Sequence, residues 1–238
     1  MADGSETLSG PQPIKRPRLP VIDIARGIAI IAMVIYHLSW DLAFYRFIPV
    51  DVSYDPGWVA FARTILFSFM FLVGVGLVLG HGDGIRWRAF WRRWIFAAVG
   101  SLLITLGTWI AFPQSFVYFG VLHAIAVSML LALPFLFTPI WLTALVSAIV
   151  IGMHFAYADP LFNAVALSWI GFWEVPPLTN DLVPLFPWFG VVLAGVTVTR
   201  LVRGTAIEAR LAAIQPKNIV ARVLAWMDRW LKGDASAK

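Results

Sequence analysis

The sequence predicts an all-α, polytopic membrane helix bundle, and three observations carry that prediction. The chain is 60% hydrophobic and only 13% charged over its 238 residues, about half the charge of an ordinary soluble domain. Its apolar residues gather in runs of about 20, the length that crosses a hydrocarbon core. Lysine and arginine recur beside alternate ends of those runs, as topological signals do.

Taken in order, the runs give about six transmembrane helices. The first covers 20–45 and follows Lys15, Arg16 and Arg18. Asp23 and Arg26 interrupt its start, and it runs well past the core of a cleavable signal peptide. Residues 1–17 ahead of it are expected to be a disordered cytoplasmic tail, being mostly small and polar. The second helix, 58–79, carries Gly74, Gly76 and Gly80, which suit close helix packing. The third, 94–112, stops at Pro113, and Thr138-Pro139 separates the fourth, 116–137, from the fifth, 140–157. The sixth covers 185–202.

Two segments beside the spans have their own patterns. The connection 158–184 contains Leu161-Phe162 and the apolar stretch 167–173, both too short to cross. A re-entrant or interfacial segment is expected there, with Trp169, Trp173 and Trp188 in an aromatic belt. After Pro216, Ile219, Val223, Leu224, Met227 and Trp230 recur at helical spacing, predicting an amphipathic helix on the cytoplasmic surface. The organisation is then a tail at 1–17, a transmembrane domain at 18–204, and an interfacial helix and tail at 205–238.

One side of the bundle receives Lys15, Arg16, Arg18, Arg86, Arg88, Arg92, Arg93, Arg200, Arg203 and Arg210. The other holds Arg46 and Arg63 with Asp51, Asp55, Asp159, Glu174 and Asp181. That asymmetry predicts both termini in the cytoplasm, and the membrane is expected to be the plasma (inner) membrane. The net charge of +5 therefore reads as topology and lipid head-group contact rather than nucleic-acid binding. The chain has no cysteine, which excludes disulfides, thiolate metal sites and a cysteine nucleophile. No zinc-type histidine spacing, P-loop or Gly-x-Ser-x-Gly elbow is present, so no metal is expected.

The chemistry-bearing residues begin in the first helix. At 100° per residue Asp23, Arg26, His37 and Asp41 share an arc of about 60°, and the rise from first to last is about 27 Å. Such a stripe must face protein or a water-filled cavity, because each charge turned to lipid costs several kcal/mol. Asp23 and Arg26 either pair at the cytoplasmic boundary or line a mouth there. His37 is either a packed histidine or a proton carrier, and His123, at a similar outer depth, is its possible companion. Arg63 is expected to pair with Asp41 or Asp55, or else to bind an anionic substrate. The loop 81–93, with Arg86, Arg88, Arg92 and Arg93, either anchors the protein or holds a phosphate-bearing ligand.

Four stretches in order carry a family resemblance. They are Arg18-Leu-Pro-Val-Ile-Asp23-Ile-Ala-Arg26-Gly continuing to Tyr36-His37, then Phe69-Met-Phe-Leu-Val-Gly74, Phe119-Gly-Val-Leu-His123, and Asp181-Leu-Val-Pro-Leu-Phe-Pro-Trp188-Phe-Gly190. Together they resemble the heparan-α-glucosaminide N-acetyltransferase catalytic domain and its small bacterial relatives. The resemblance implies an integral-membrane acyltransferase that takes an acyl group, acetyl first of all, from cytoplasmic acyl-CoA to an extracytoplasmic sugar-type acceptor. On that reading His37, Asp41 and His123 are catalytic. Asp23, Arg26, Arg86, Arg88, Arg92 and Arg93 hold the acyl-CoA, and Arg63, Asp181 and Trp188 bind substrate or pair structurally.

Relatives often continue through a Gly-Arg-His-Ser-Leu segment and a further helix. Here Leu224-Ala-Trp-Met-Asp-Arg-Trp230 stands in that place, so a shortened form is expected, or one completed by a second copy or a partner. Two other function classes compete. A proton-coupled transporter would also use an ionisable stripe, and a non-catalytic relative would keep the bundle without the chemistry.

Overall fold

The computed structural model describes residues 19–214, which are helical apart from loops and one isolated bridge. The helices are α1 (Pro20–Phe44), α2 (Pro56–His81), α3 (Trp87–Ala111), α4 (Val121–Leu131), α5 (Ile140–Ala156), α6 (Val165–Ser168), α7 (Leu185–Val202) and α8 (Ala206–Ala212). Among them α1, α2, α3 and α7 are long and apolar enough to cross a membrane, and α4 and α5 are shorter apolar helices. The tail expected at 1–17 and the amphipathic helix expected at 219–231 lie outside the described residues.

Local chemistry accounts for the ends. Pro20 and Pro56 each open a helix, where the missing N–H removes no intrahelical bond. Asp55 caps α2, its Oδ1 accepting from the N–H groups of Gly57 at 2.9 Å and Trp58 at 3.1 Å. The Thr138-Pro139 connection is held from outside: Arg200 on α7 donates to the carbonyls of Phe135 at 3.0 Å and Thr138 at 2.6 Å.

The fourth span departs from expectation. The apolar run 116–137 forms only the short α4, followed by a turn and a 3₁₀ segment at Pro134–Leu136. Residues ahead of α4 are not helical because the backbone there pairs sideways. The Val183 N–H donates to the Phe119 carbonyl at 3.0 Å, and Phe119 and Leu182 form the isolated bridge. The third span corrects in the other direction, starting at Trp87 inside the basic loop rather than at 94.

The centre of the bundle is α7. Helix association inside a bilayer gains little from the hydrophobic effect, so close backbone approach has to supply the attraction. A Cβ on Gly74 would stand 2.0 Å from the Val192 carbonyl, and one on Gly195 would stand 2.2 Å from that of Phe71. On its other face α7 meets α5, where the Ser147 hydroxyl donates to the Gly190 carbonyl at 2.7 Å. Around these crossings Met70, Val78, Phe90, Val192 and Val196 are fully buried.

The connection 158–184 does not span. It folds as a 3₁₀ turn at Pro160–Asn163, the single-turn α6, and an extended return to α7. Gly171 has φ +108°, and a Cβ there would meet the Phe186 carbonyl at 2.3 Å, so this turn requires glycine. Phe172 packs 4.5 Å from the ring of Phe186, which draws the segment over the first turn of α7 and brings Asp181 to the start of α4.

Candidate active site

Two polar centres sit at opposite ends of α1. The first is built where α4 begins. The Val121 N–H donates to Asp181 Oδ2 at 3.2 Å, one of the unpaired donors that every helix start presents to an anion. Gly120 makes this approach possible, since a Cβ there would lie 2.4 Å from the same oxygen. Burial pushes the Asp181 carboxyl above the usual carboxylate range, while the Val121 N–H and the His37 imidazole pull it back down.

His123 occupies the first turn of α4 and is fully engaged. Its Nδ1 accepts from the Gly120 N–H at 3.2 Å, and its Nε2 lies 3.1 Å from Thr105 Oγ1. A backbone N–H only donates, so Nε2 carries the hydrogen and gives it to Thr105. Thr105 in turn donates to the Val117 carbonyl at 2.8 Å. His123 thereby ties α3, the extended segment and the α4 start together.

On α1, the His37 charge reaches Asp181 and the Asp181 charge reaches Tyr36, so both side chains lie within electrostatic range of this centre. Tyr36 also meets the His37 ring edge-on at 5.7 Å. His37 and Asp41 are exposed. Arg63 is exposed too, and the ion pairs among the described residues, Arg26–Asp23 and Arg203–Asp83, do not include it. Its expected partner Asp55 is occupied in capping α2. Trp188 is partly buried in the α7 first turn, packed against the core.

The second centre is a cleft of about 260 Å³ near the α1 N-terminal end, lined by Arg26, Ile30, Gly76, His81, Arg93 and Met129 among others. Arg26 reaches Asp23 at 3.4 Å, both side chains being exposed. Gly76 and Gly80, read from sequence as packing residues, instead leave room for cations. A Cβ on Gly76 would stand 3.0 Å from Arg26 Nη2, and one on Gly80 would stand 3.4 Å from Arg93 Nη1. Arg86 is drawn aside, its Nε donating to the Gly80 carbonyl at 2.8 Å and its backbone N–H to His81 Nδ1 at 3.2 Å. Arg88 and Arg92 point to the exposed face.

Thus Arg26 and Arg93 line one cleft, Asp181 and His123 meet at the start of α4, and His37 lies within electrostatic range of Asp181. Sequence reasoning missed Tyr36, Thr105 and Gly120. Gly120 stands three residues before His123 in one of the four family stretches, which is the one signal that pointed to it.

No curated protein and no solved structure matches the chain. A family model does match, over residues 18–231, described as heparan-alpha-glucosaminide N-acetyltransferase, catalytic. That span takes in both polar centres and nearly the whole chain, so the protein belongs to this family of membrane acyltransferase-like proteins.

Proposed function

We propose that the protein moves an acyl group, acetyl in the first instance, from acyl-CoA at the Arg26 end to a sugar-type acceptor at the His37 end. The observation that carries this reading is the family match over residues 18–231, supported by the Asp181 carboxylate seated on the first N–H of α4. His37 is the general base. It takes a proton from the acceptor amine or hydroxyl as that atom attacks the thioester carbonyl. The C–S bond then breaks and CoA leaves as the thiolate, which recovers a proton.

Asp181, with Asp41 one turn along α1, stabilises the imidazolium as a carboxylate does in a triad. His123 holds the α4 start that seats Asp181, and is a positioning residue. The alternative in which His37 briefly carries the acyl group uses the same residues.

At the other end Arg26 and Arg93 offer guanidinium forks to the phosphates of the acyl donor, supported by Asp23 and by Arg86, Arg88 and Arg92 at the start of α3. From Arg26 to His37 the helix rises about 16 Å, which an extended thioester arm has to cover. Both termini then lie in the cytoplasm, the donor enters from that side, and the lipid bilayer surrounds the exposed apolar faces.

The test uses purified protein in liposomes with labelled acetyl-CoA and amino sugars. His37→Ala is expected to lower transfer by about 10²-fold or more, and undiminished transfer would remove His37 from the mechanism. The exposure of Asp23, Arg26, His37 and Asp41 along one helix also suits a proton-coupled carrier. Solute flux without covalent product, dependent on Asp23 or Asp41, would select that reading.

A further inference from the structure

A second cavity, of about 370 Å³, opens between the last turns of α1 and the loop 49–53, a volume within the range of small-molecule sites. One wall is aromatic. Trp40 and Phe44 lie with ring centroids 5.2 Å apart and planes inclined by 13°. The loop side is polar, with Asp51 and Ser53 flanking a fully buried Val52.

These walls are fixed in place. The Trp40 indole N–H donates to Ser53 Oγ at 3.1 Å, and the Ser53 N–H donates to Asp51 Oδ1 at 3.1 Å. The other Asp51 oxygen remains open to a ligand. Aromatic rings beside a preorganised carboxylate suit a sugar, since one side of a sugar ring is C–H and its rim is hydroxyl.

Its position relative to His37 follows from helix geometry. On the unbroken α1, Trp40, Ala43 and Phe44 fall on the arc about 100° wide that lies on the Tyr36 side of His37. Trp40 stands about 4.5 Å above His37 along the axis and Phe44 about 10.5 Å.

We infer that this cleft is the acceptor subsite, in which the stacked Trp40 and Phe44 and the Asp51 carboxylate hold the non-reacting part of the sugar. The inference rests on the acyl-transfer reading for its reaction but not for its binding. Both are therefore measured on the full chain in lipid nanodiscs, with D-glucosamine as the probe.

Saturation-transfer NMR without an acyl donor is expected to detect the sugar on the wild type and to lose it in Trp40→Ala and Asp51→Ala. In steady-state transfer the same variants are expected to raise the acceptor KM about tenfold while the acetyl-CoA KM stays within about twofold. Trp40→Phe, which keeps an aromatic face, is expected to retain most of the affinity and guards against misfolding. Sugar binding without any transfer keeps the subsite and overturns acyl transfer. Transfer with an unchanged acceptor KM in both alanine variants keeps acyl transfer and overturns the subsite.

Discussion

Asp181 meets α4 end-on, and the missing side chain of Gly120 is what admits it. In Gly120→Ala the new Cβ would sit 2.4 Å from Asp181 Oδ2 and 2.8 Å from Val117 Cγ1. Neither neighbour is the loose end of a long chain, so the carboxylate must leave the Val121 N–H. Transfer is expected to fall by about tenfold or more, the value of one misplaced charge-stabilising contact, with the circular-dichroism helix signal unchanged.

The raised Asp181 carboxyl fixes the sign of the pH dependence. Only its ionised form stabilises an imidazolium at His37. Activity should therefore fall as pH drops through a value above the ordinary carboxylate range, and Asp181→Asn should abolish that limb while lowering the plateau. Stability moves the opposite way. The folded chain holds this proton more tightly than the unfolded chain does, so acidification through the raised value adds stability until the unfolded value is passed. A thermal-unfolding series against pH, compared with Asp181→Asn, reads that difference directly.

At the scale of elements, the glycines of α2 separate packing from binding. Gly74→Ala drives a methyl to 2.0 Å from the Val192 carbonyl of α7, a backbone contact with no room to yield. It is expected to cost about 1–3 kcal/mol or more and lower the unfolding temperature in detergent. Gly76→Ala meets only Arg26 Nη2, at 3.0 Å, the end of a flexible side chain. The fold should survive, and the acyl-CoA KM should rise as the guanidinium shifts. An equal loss of stability in both variants would argue that Gly76 packs helices after all.

Sequence alone made the three glycines look alike, since hydropathy and spacing do not say which face of α2 meets α7. It did place α7 at its observed bounds, because Pro184 and the apolar run define that helix locally. It missed the shortness of α4. A buried apolar run reads the same whether helical or extended, and the bridge from Phe119 to Leu182 is a long-range pairing. That His37 lies within electrostatic range of Asp181 was illegible for the same reason, while His37 itself stood out as an ionisable group in an apolar helix.

For the whole molecule, the two polar centres acquire meaning only through their sidedness. Arg26 and Arg93 lie near one end of the bundle and His37 with Asp181 lies toward the other. A donor carrying phosphates and an acceptor held beside Asp51 would thus be drawn to opposite faces by charge alone. The absence of native cysteine makes this measurable with single-cysteine variants in right-side-out vesicles. Val175→Cys, at a position 65% exposed in the connection before α7, is expected to react with a membrane-impermeant maleimide added outside. Arg88→Cys, in the exposed first turn of α3, should react only after the vesicles are opened. The reverse pattern would put the arginine cleft outside, where acyl-CoA is not supplied. The acyl-transfer direction would then fail even with every side chain where it is described.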